Sequence, residues 1–242
     1  MALFRLCYNF FMQEKNENYK KAIELCEGNY THNDLIDFLK NGNVIERQFA
    51  ALNITTVNSK PEANILMSNL VGVDGKIREA AALKIAELTK IHPEKFSDKA
   101  NYKILSNATI DIDGNVCRLA IISAVNLREN ENFSKFYANE MIEIIQNSLD
   151  EMSKFTFRDK KYKINKQIFK IYWCIEALIY FNSYSNFEKL QHLIEKCSIL
   201  PEYTIREKCA KLICTLPNND ILKTIKNTLK RDNNYYVRNI FE

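Results

Sequence analysis

Asp74-Gly75-Lys76-Ile77-Arg78, followed by Ala80, Ala81, Ile85 and Leu88, sets a turn, a β-branched residue and an arginine ahead of small residues on one helical face. The phrase returns as Asp113-Gly114-Asn115-Val116-Cys117-Arg118 before Ala120, Ala124 and Leu127. Looser copies stand at Val44-Ile45-Glu46-Arg47 before Ala50, Ala51 and Leu52, and at Tyr203-Thr204-Ile205-Arg206 before Ala210, Ile213 and Leu216. Tyr236-Val237-Arg238 closes the chain. Recurrence every few tens of residues marks stacked supersecondary units, each unable to bury its apolar face alone. The arginines at 47, 78, 118, 206 and 238 are 31, 40, 88 and 32 residues apart. The gap of 88 places one degenerate unit around 131–184, its second helix carrying Trp173, Ala177 and Leu178.

Composition agrees with helices. Five glycines and four prolines in 242 residues are too few for the turns of an all-β fold. Pro61, Pro93, Pro201 and Pro217 sit beside helix boundaries, where a missing N–H costs least. A hydrophobic content of 46% suffices for a core, and no apolar run is long enough to cross a bilayer. Met1 to Met12 lacks the continuous apolar stretch and cleavage site of a secretory signal. The seven cysteines, an odd number without CxxC pairs, read as small hydrophobes of a reducing compartment, so a cytoplasmic setting is expected.

Apolar periodicity predicts helices near 18–27, 32–40, 44–57, 62–71, 76–90, 99–108, 115–129, 133–153, 163–182, 186–197, 202–215 and 219–230. A further short helix is expected before residue 18, with Leu3, Leu6, Cys7 and Phe10 on one stripe. Thr31 or Asn33 is positioned to cap the second helix, Pro61-Glu62 to open the fourth, and Asn218 or Asn219 to precede the last. The expected fold is all-α, a right-handed α-solenoid of stacked antiparallel helix pairs with about a dozen helices. It forms a single domain over 1–242, with capping helices over 1–40 and about five repeats over 41–242.

On Asp74 through Arg78 with Ala80 and Ala81, and on Asp113 through Ala120, the chain resembles the HEAT family of helical repeats over residues 40–242. The resemblance implies that Asp74, Arg78, Asp113 and Arg118 are scaffold residues bracing adjacent repeats. Alkylpurine DNA glycosylases and bilin lyases are enzymes built on similar repeats. The glycosylases use several tryptophans with an aspartate and an arginine, whereas this chain has Trp173 alone.

No catalytic, cofactor or metal site is expected. His32, His92 and His192 are scattered, and no glycine-rich phosphate loop occurs. Asp111-Ile112-Asp113-Gly114-Asn115 is oxygen-rich, but the glycine is fourth and the twelfth position is Ile122, so it fails the calcium-loop pattern.

One segment departs from the background. Lys154, Arg158, Lys160, Lys161, Lys163, Lys166 and Lys170 face a single acid, Asp159, with Phe155, Phe157, Tyr162, Phe169 and Tyr172 interleaved. Residues 154–242 carry 17 basic and 9 acidic side chains, against 17 and 21 in 1–153. Clustered cations with aromatics suit phosphate contact and base stacking. The primary expectation is a non-catalytic scaffold binding a protein partner through a concave surface. The second is a nucleic-acid-binding array that uses these seven residues, joined by Lys223, Lys226, Lys230 and Arg231. No membrane partner is expected, and the oligomeric state is left open.

Overall fold

The computed structural model describes residues 17–155 and 157–242, with side chains outside 157–160. The helix expected before residue 18 lies outside the described residues, as do the side chains of Arg158 and Lys160. Every regular element described is helical. The chain divides between Ile104 and Leu105 into two compact units.

The first unit begins with α1 (residues 17–27). After it come α2 (His32–Asn41), α3 (Val44–Asn53), α4 (Lys60–Ser68), α5 (Gly75–Ile91), α6 (Pro93–Phe96) and the start of α7 (Lys99–Ala108). Helix α3 packs between α2 and α5, and α4 packs on α2 and α6. Ala50, Ala51, Ala81 and Ile85 are fully buried, so the small residues after each arginine let these helices approach closely. Thr31 caps α2 in a reciprocal box with Asp34, and Ser59 caps α4, which places Pro61 within its first turn. Helix α3 stops at Asn53 and not at 57, because Ile54 turns extended and runs with Val57 into the core. Polar braces tie α4 to the junction of α6 and α7: Asn64 donates to Asp98 at 2.9 Å and accepts from Asn101 at 2.7 Å.

The second unit contains α8 (Gly114–Asn126), α9 (Glu131–Ser153), α10 (Phe157–Phe181), α11 (Phe187–Cys197), α12 (Tyr203–Ile213), α13 (Asp220–Leu229) and α14 (Tyr235–Arg238). Helices α9 and α10 form the most extensive pair, and α10 also packs on α8 and α12. Helix α12 in turn contacts α11, α13 and α14. Between the long pair sits an aromatic cluster: Tyr137 lies 5.4 Å from Phe133 and 4.9 Å from Phe181, ring centre to ring centre, and its hydroxyl meets Thr109 at 2.7 Å. This pair occupies the stretch where the recurring phrase is missing. Helix α10 begins at Phe157, ahead of the start near 163 that periodicity predicts, so most of the basic segment is helix. Asn219 caps α13 as expected. The short helix α6 was not among those predicted, because four residues are too few to show periodicity, while α14 falls on the last copy of the recurring phrase.

Candidate functional site

The recurring phrase is a helix start that draws on two devices, both present in α3, α5 and α14, while α12 has no side-chain cap at Glu202. At the N-cap, Asn43, Asp74, Asp113 and Asn234 each accept from the first backbone N–H groups of their helix. At the fourth helical residue, a side chain reaches back to carbonyls of the preceding turn. Arg47 Nε donates to Gly42 O at 2.8 Å, and Arg78 donates to Gly72 O at 2.9 Å and Val73 O at 3.1 Å. Arg206 donates to Leu200 O and Pro201 O, both at 2.8 Å, and Arg238 donates to Asp232 O. Each arginine thereby satisfies carbonyls that the turn leaves unpaired.

Helix α8 departs from this rule. Its fourth residue is Cys117, whose Sγ donates to Asp111 O at 3.1 Å. Burial, with the Asp111 charge beside it, pushes the thiol up to about 12, so it stays protonated and able to donate. Ser134, the fourth residue of α9, does the same through Oγ to Arg128 O at 2.7 Å. Arg118 comes one position later, points to the surface, and makes no hydrogen bond or ion pair among the described residues. It therefore does not share the bracing role that the family resemblance implied. The capping bonds of Asp74 and Asp113 lie within their own helix starts, as do the bonds of Arg78 to Gly72 and Val73. Neighbouring elements are braced elsewhere: Arg206 of α12 makes a two-pronged contact with Asp232 in the turn before α14, at 2.6 and 3.0 Å, and Lys208 of α12 donates through Nζ to Glu176 of α10 at 2.5 Å.

Arg118 stands at the edge of a cleft of about 360 Å³ between α8 and α10. Ile122 and Val125 form one wall, and Trp173, Glu176 and Tyr180 form the other. Ile122 and Tyr180 are 39% and 43% exposed and add apolar surface to the two walls. The Trp173 ring is fixed edge-on by Phe169 and Tyr172, at 6.2 and 5.2 Å. Its Nε1 is buried with no hydrogen-bond partner among the described residues. Glu176 is neutralised by Lys208, which also lies 4.6 Å from the centre of the Tyr172 ring. Burial lowers the Lys208 pKa, but the Glu176 hydrogen bond and charge, helped by Tyr172, outweigh it and raise the net value. The cleft therefore joins an apolar floor to one uncompensated cation.

No protein-family model and no curated protein matches the chain. Solved structures do: a designed armadillo repeat protein is 13% identical, with 85% of this chain and 94% of that chain covered and a TM-score of 0.48. A second designed armadillo repeat protein, in complex with a (KR)4 peptide, is 14% identical over 85% and 94%, with a TM-score of 0.49. An engineered protein is 10% identical over 86% and 92%, with a TM-score of 0.48. At these scores the likeness is loose, and the repeat character rests on the recurring helix starts themselves.

Four described lysines of the basic segment have different surroundings. Lys166 and Lys170 line a second cleft, of about 490 Å³, with Tyr162, Phe169 and Ile112. Lys163 lies instead over the Phe155 ring at 5.0 Å, and Lys154 pairs with Glu151. Lys226 lies over Phe241 at 5.7 Å.

Elsewhere, His32, Glu62, Cys174 and Cys209 are held in local packing and hydrogen bonds. His32 Nε2 meets Glu62 at 2.8 Å; burial pushes that carboxyl up, but hydrogen bonds from Asn58 N–H and His32 hold it below its usual range. Burial raises the Cys174 thiol, and the hydrogen bond to Cys197 with burial raises Cys209, so neither is a ready nucleophile. No cluster of three or more metal-ligating side chains occurs among the described residues.

Proposed function

We propose that the chain is a non-catalytic, HEAT-type repeat scaffold that holds a segment of a protein partner in the cleft between α8 and α10. The observation that carries this reading is the cleft between α8 and α10, where exposed Ile122 and Tyr180 flank a fixed indole and an unengaged arginine. Tryptophan, tyrosine and arginine are the residues that dominate binding energy at protein interfaces. The six described cysteines are free thiols, which supports the cytoplasmic setting. Selection of a random linear peptide library on the purified chain tests the reading. Recovered peptides should bind the native chain and lose at least about tenfold in affinity to Ile122→Asn, as expected when a buried apolar contact is removed. Recovery of no peptide, or of peptides indifferent to that change, overturns it.

A second reading is favoured by the other cleft. Lys166, Lys170 and the exposed ring of Tyr162 surround one opening, as phosphate contact and base stacking require. Titration with single-stranded oligonucleotides from about 50 to 200 mM salt decides it, since phosphate-driven binding falls steeply over that range. Binding removed by Lys166→Glu with Lys170→Glu would make this an RNA- or DNA-binding array.

A further inference from the structure

We infer that the cleft between α8 and α10 selects a linear peptide segment in which a bulky apolar side chain is followed closely by an acidic residue. The inference rests on the scaffold reading and gives its partner a chemistry.

The first support is a displacement in register. In α3, α5, α12 and α14 the arginine is the fourth helical residue and is occupied with carbonyls of its own turn. In α8 the Cys117 thiol takes over that work, and the arginine moves one position, which turns it by roughly 100° around the helix. Arg118 is thus released from the scaffold and delivered to the rim of the cleft.

The second support is charge. The carboxylate that could have neutralised Arg118 across the cleft, Glu176, is already held by Lys208 at 2.5 Å. The cleft with its immediate surroundings therefore holds Arg118 and Lys208 against Glu176, one positive charge in excess. An exposed guanidinium beside apolar walls favours a planar carboxylate that it can hold with two parallel bonds.

The third is shape. A cleft of about 360 Å³ walled by Ile122, Val125, Trp173 and Tyr180 accepts one large apolar side chain, and the rigid Trp173 ring gives it a flat face to pack on. Arg118 at the rim then fixes which neighbour that side chain may have. An anchor in a pocket with a charge contact at its edge is how short linear segments are commonly read.

The test uses peptides from the library selection, made without tryptophan and with acetylated and amidated ends, so that Trp173 is the only indole and no terminal carboxylate is present. The consensus should pair a large apolar residue with Asp or Glu one to three positions later. Binding should change the Trp173 emission, and replacing the acidic residue by Lys should weaken affinity at least about tenfold, while Arg118→Glu should reverse that preference and so exclude a merely structural effect. Peptides that bind and alter Trp173 emission, yet show no acidic preference or no reversal in Arg118→Glu, overturn this inference and leave the scaffold reading standing. Peptides that leave Trp173 emission and their Ile122→Asn affinity unchanged, or a selection that yields none, overturn both.

Discussion

The starts of α5 and α8 share the letters Asp-Gly, a β-branched residue and an arginine, yet the two arginines do opposite things. Arg78 is 8% exposed and folds back on Gly72 and Val73; Arg118 is exposed at the rim of a cleft. One inserted position separates them, and Cys117 fills the vacated place with a weaker donor. A repeat can therefore leave its arginine outside its own turn when a neighbouring side chain assumes the structural duty.

The largest effect should come from α12, where the arginine serves both its own turn and the next pair. Arg206→Ala removes two carbonyl contacts and leaves Asp232, 9% exposed at its side chain, without its partner; a loss of about 3 kcal/mol is expected from urea unfolding. The Arg206 hydrogen bond holds the Asp232 carboxyl below the usual range. Its folded pKa is depressed, so its stabilisation is complete above the ordinary aspartate value, near about 4, and fades as pH falls through the folded value. The stability gap between the native chain and Asp232→Asn should accordingly close on acidification. A gap that persists there would show that Asp232 acts through packing alone.

Next in size is the comparison itself. Arg78→Ala should cost about 2 kcal/mol, because two carbonyls lose a charged donor, while Arg118→Ala should stay within about 0.5 kcal/mol. Equal losses in thermal unfolding would end the distinction between a scaffold arginine and a released one.

The smallest effect concerns the turns. Gly72 has φ of +130°, whereas Asp111, which stands at the matching place before α8, shows no positive φ and uses its carboxylate to accept from Asp113 N at 2.9 Å. Gly72→Ala should lose about 1 kcal/mol although nothing lies near its Cβ position, and Gly75→Ala at the helix start should be nearly neutral. A neutral Gly72→Ala would mean that this turn relaxes freely.

Much of this was legible in the sequence. Spacing and small residues revealed the helix pairs, and Thr31 and Asn219 were recognisable as caps because capping is local. Counting from the arginines, however, gives 40 residues between the α5 and α8 copies, while the capping aspartates are 39 apart; that single residue is the displacement of Arg118. The spacing holds the displacement, but its physical basis does not show in the letters, since cysteine is not ordinarily read as a substitute for arginine. The cleft was out of reach for a different reason: Ile122 and Trp173 lie 51 residues apart and meet only when α8 and α10 pack. Of the seven basic residues singled out by their proximity in sequence, Lys166 and Lys170 line one cleft, while Lys154 pairs with Glu151 and Lys163 lies over Phe155, since neighbours on a helix point different ways around its circumference.

The cysteines of the second unit have a use beyond packing. Cys117, Cys174, Cys197 and Cys209 are all buried there, while Cys26 and Cys214 are exposed. Among the described cysteines, a thiol-reactive label will mark the exposed pair at once and reach the other four only as the helices around them part. The molecule thus carries its own set of clocks for local opening, distributed over α8, α10, α11 and α12, and their relative rates would record the order in which the repeats come undone.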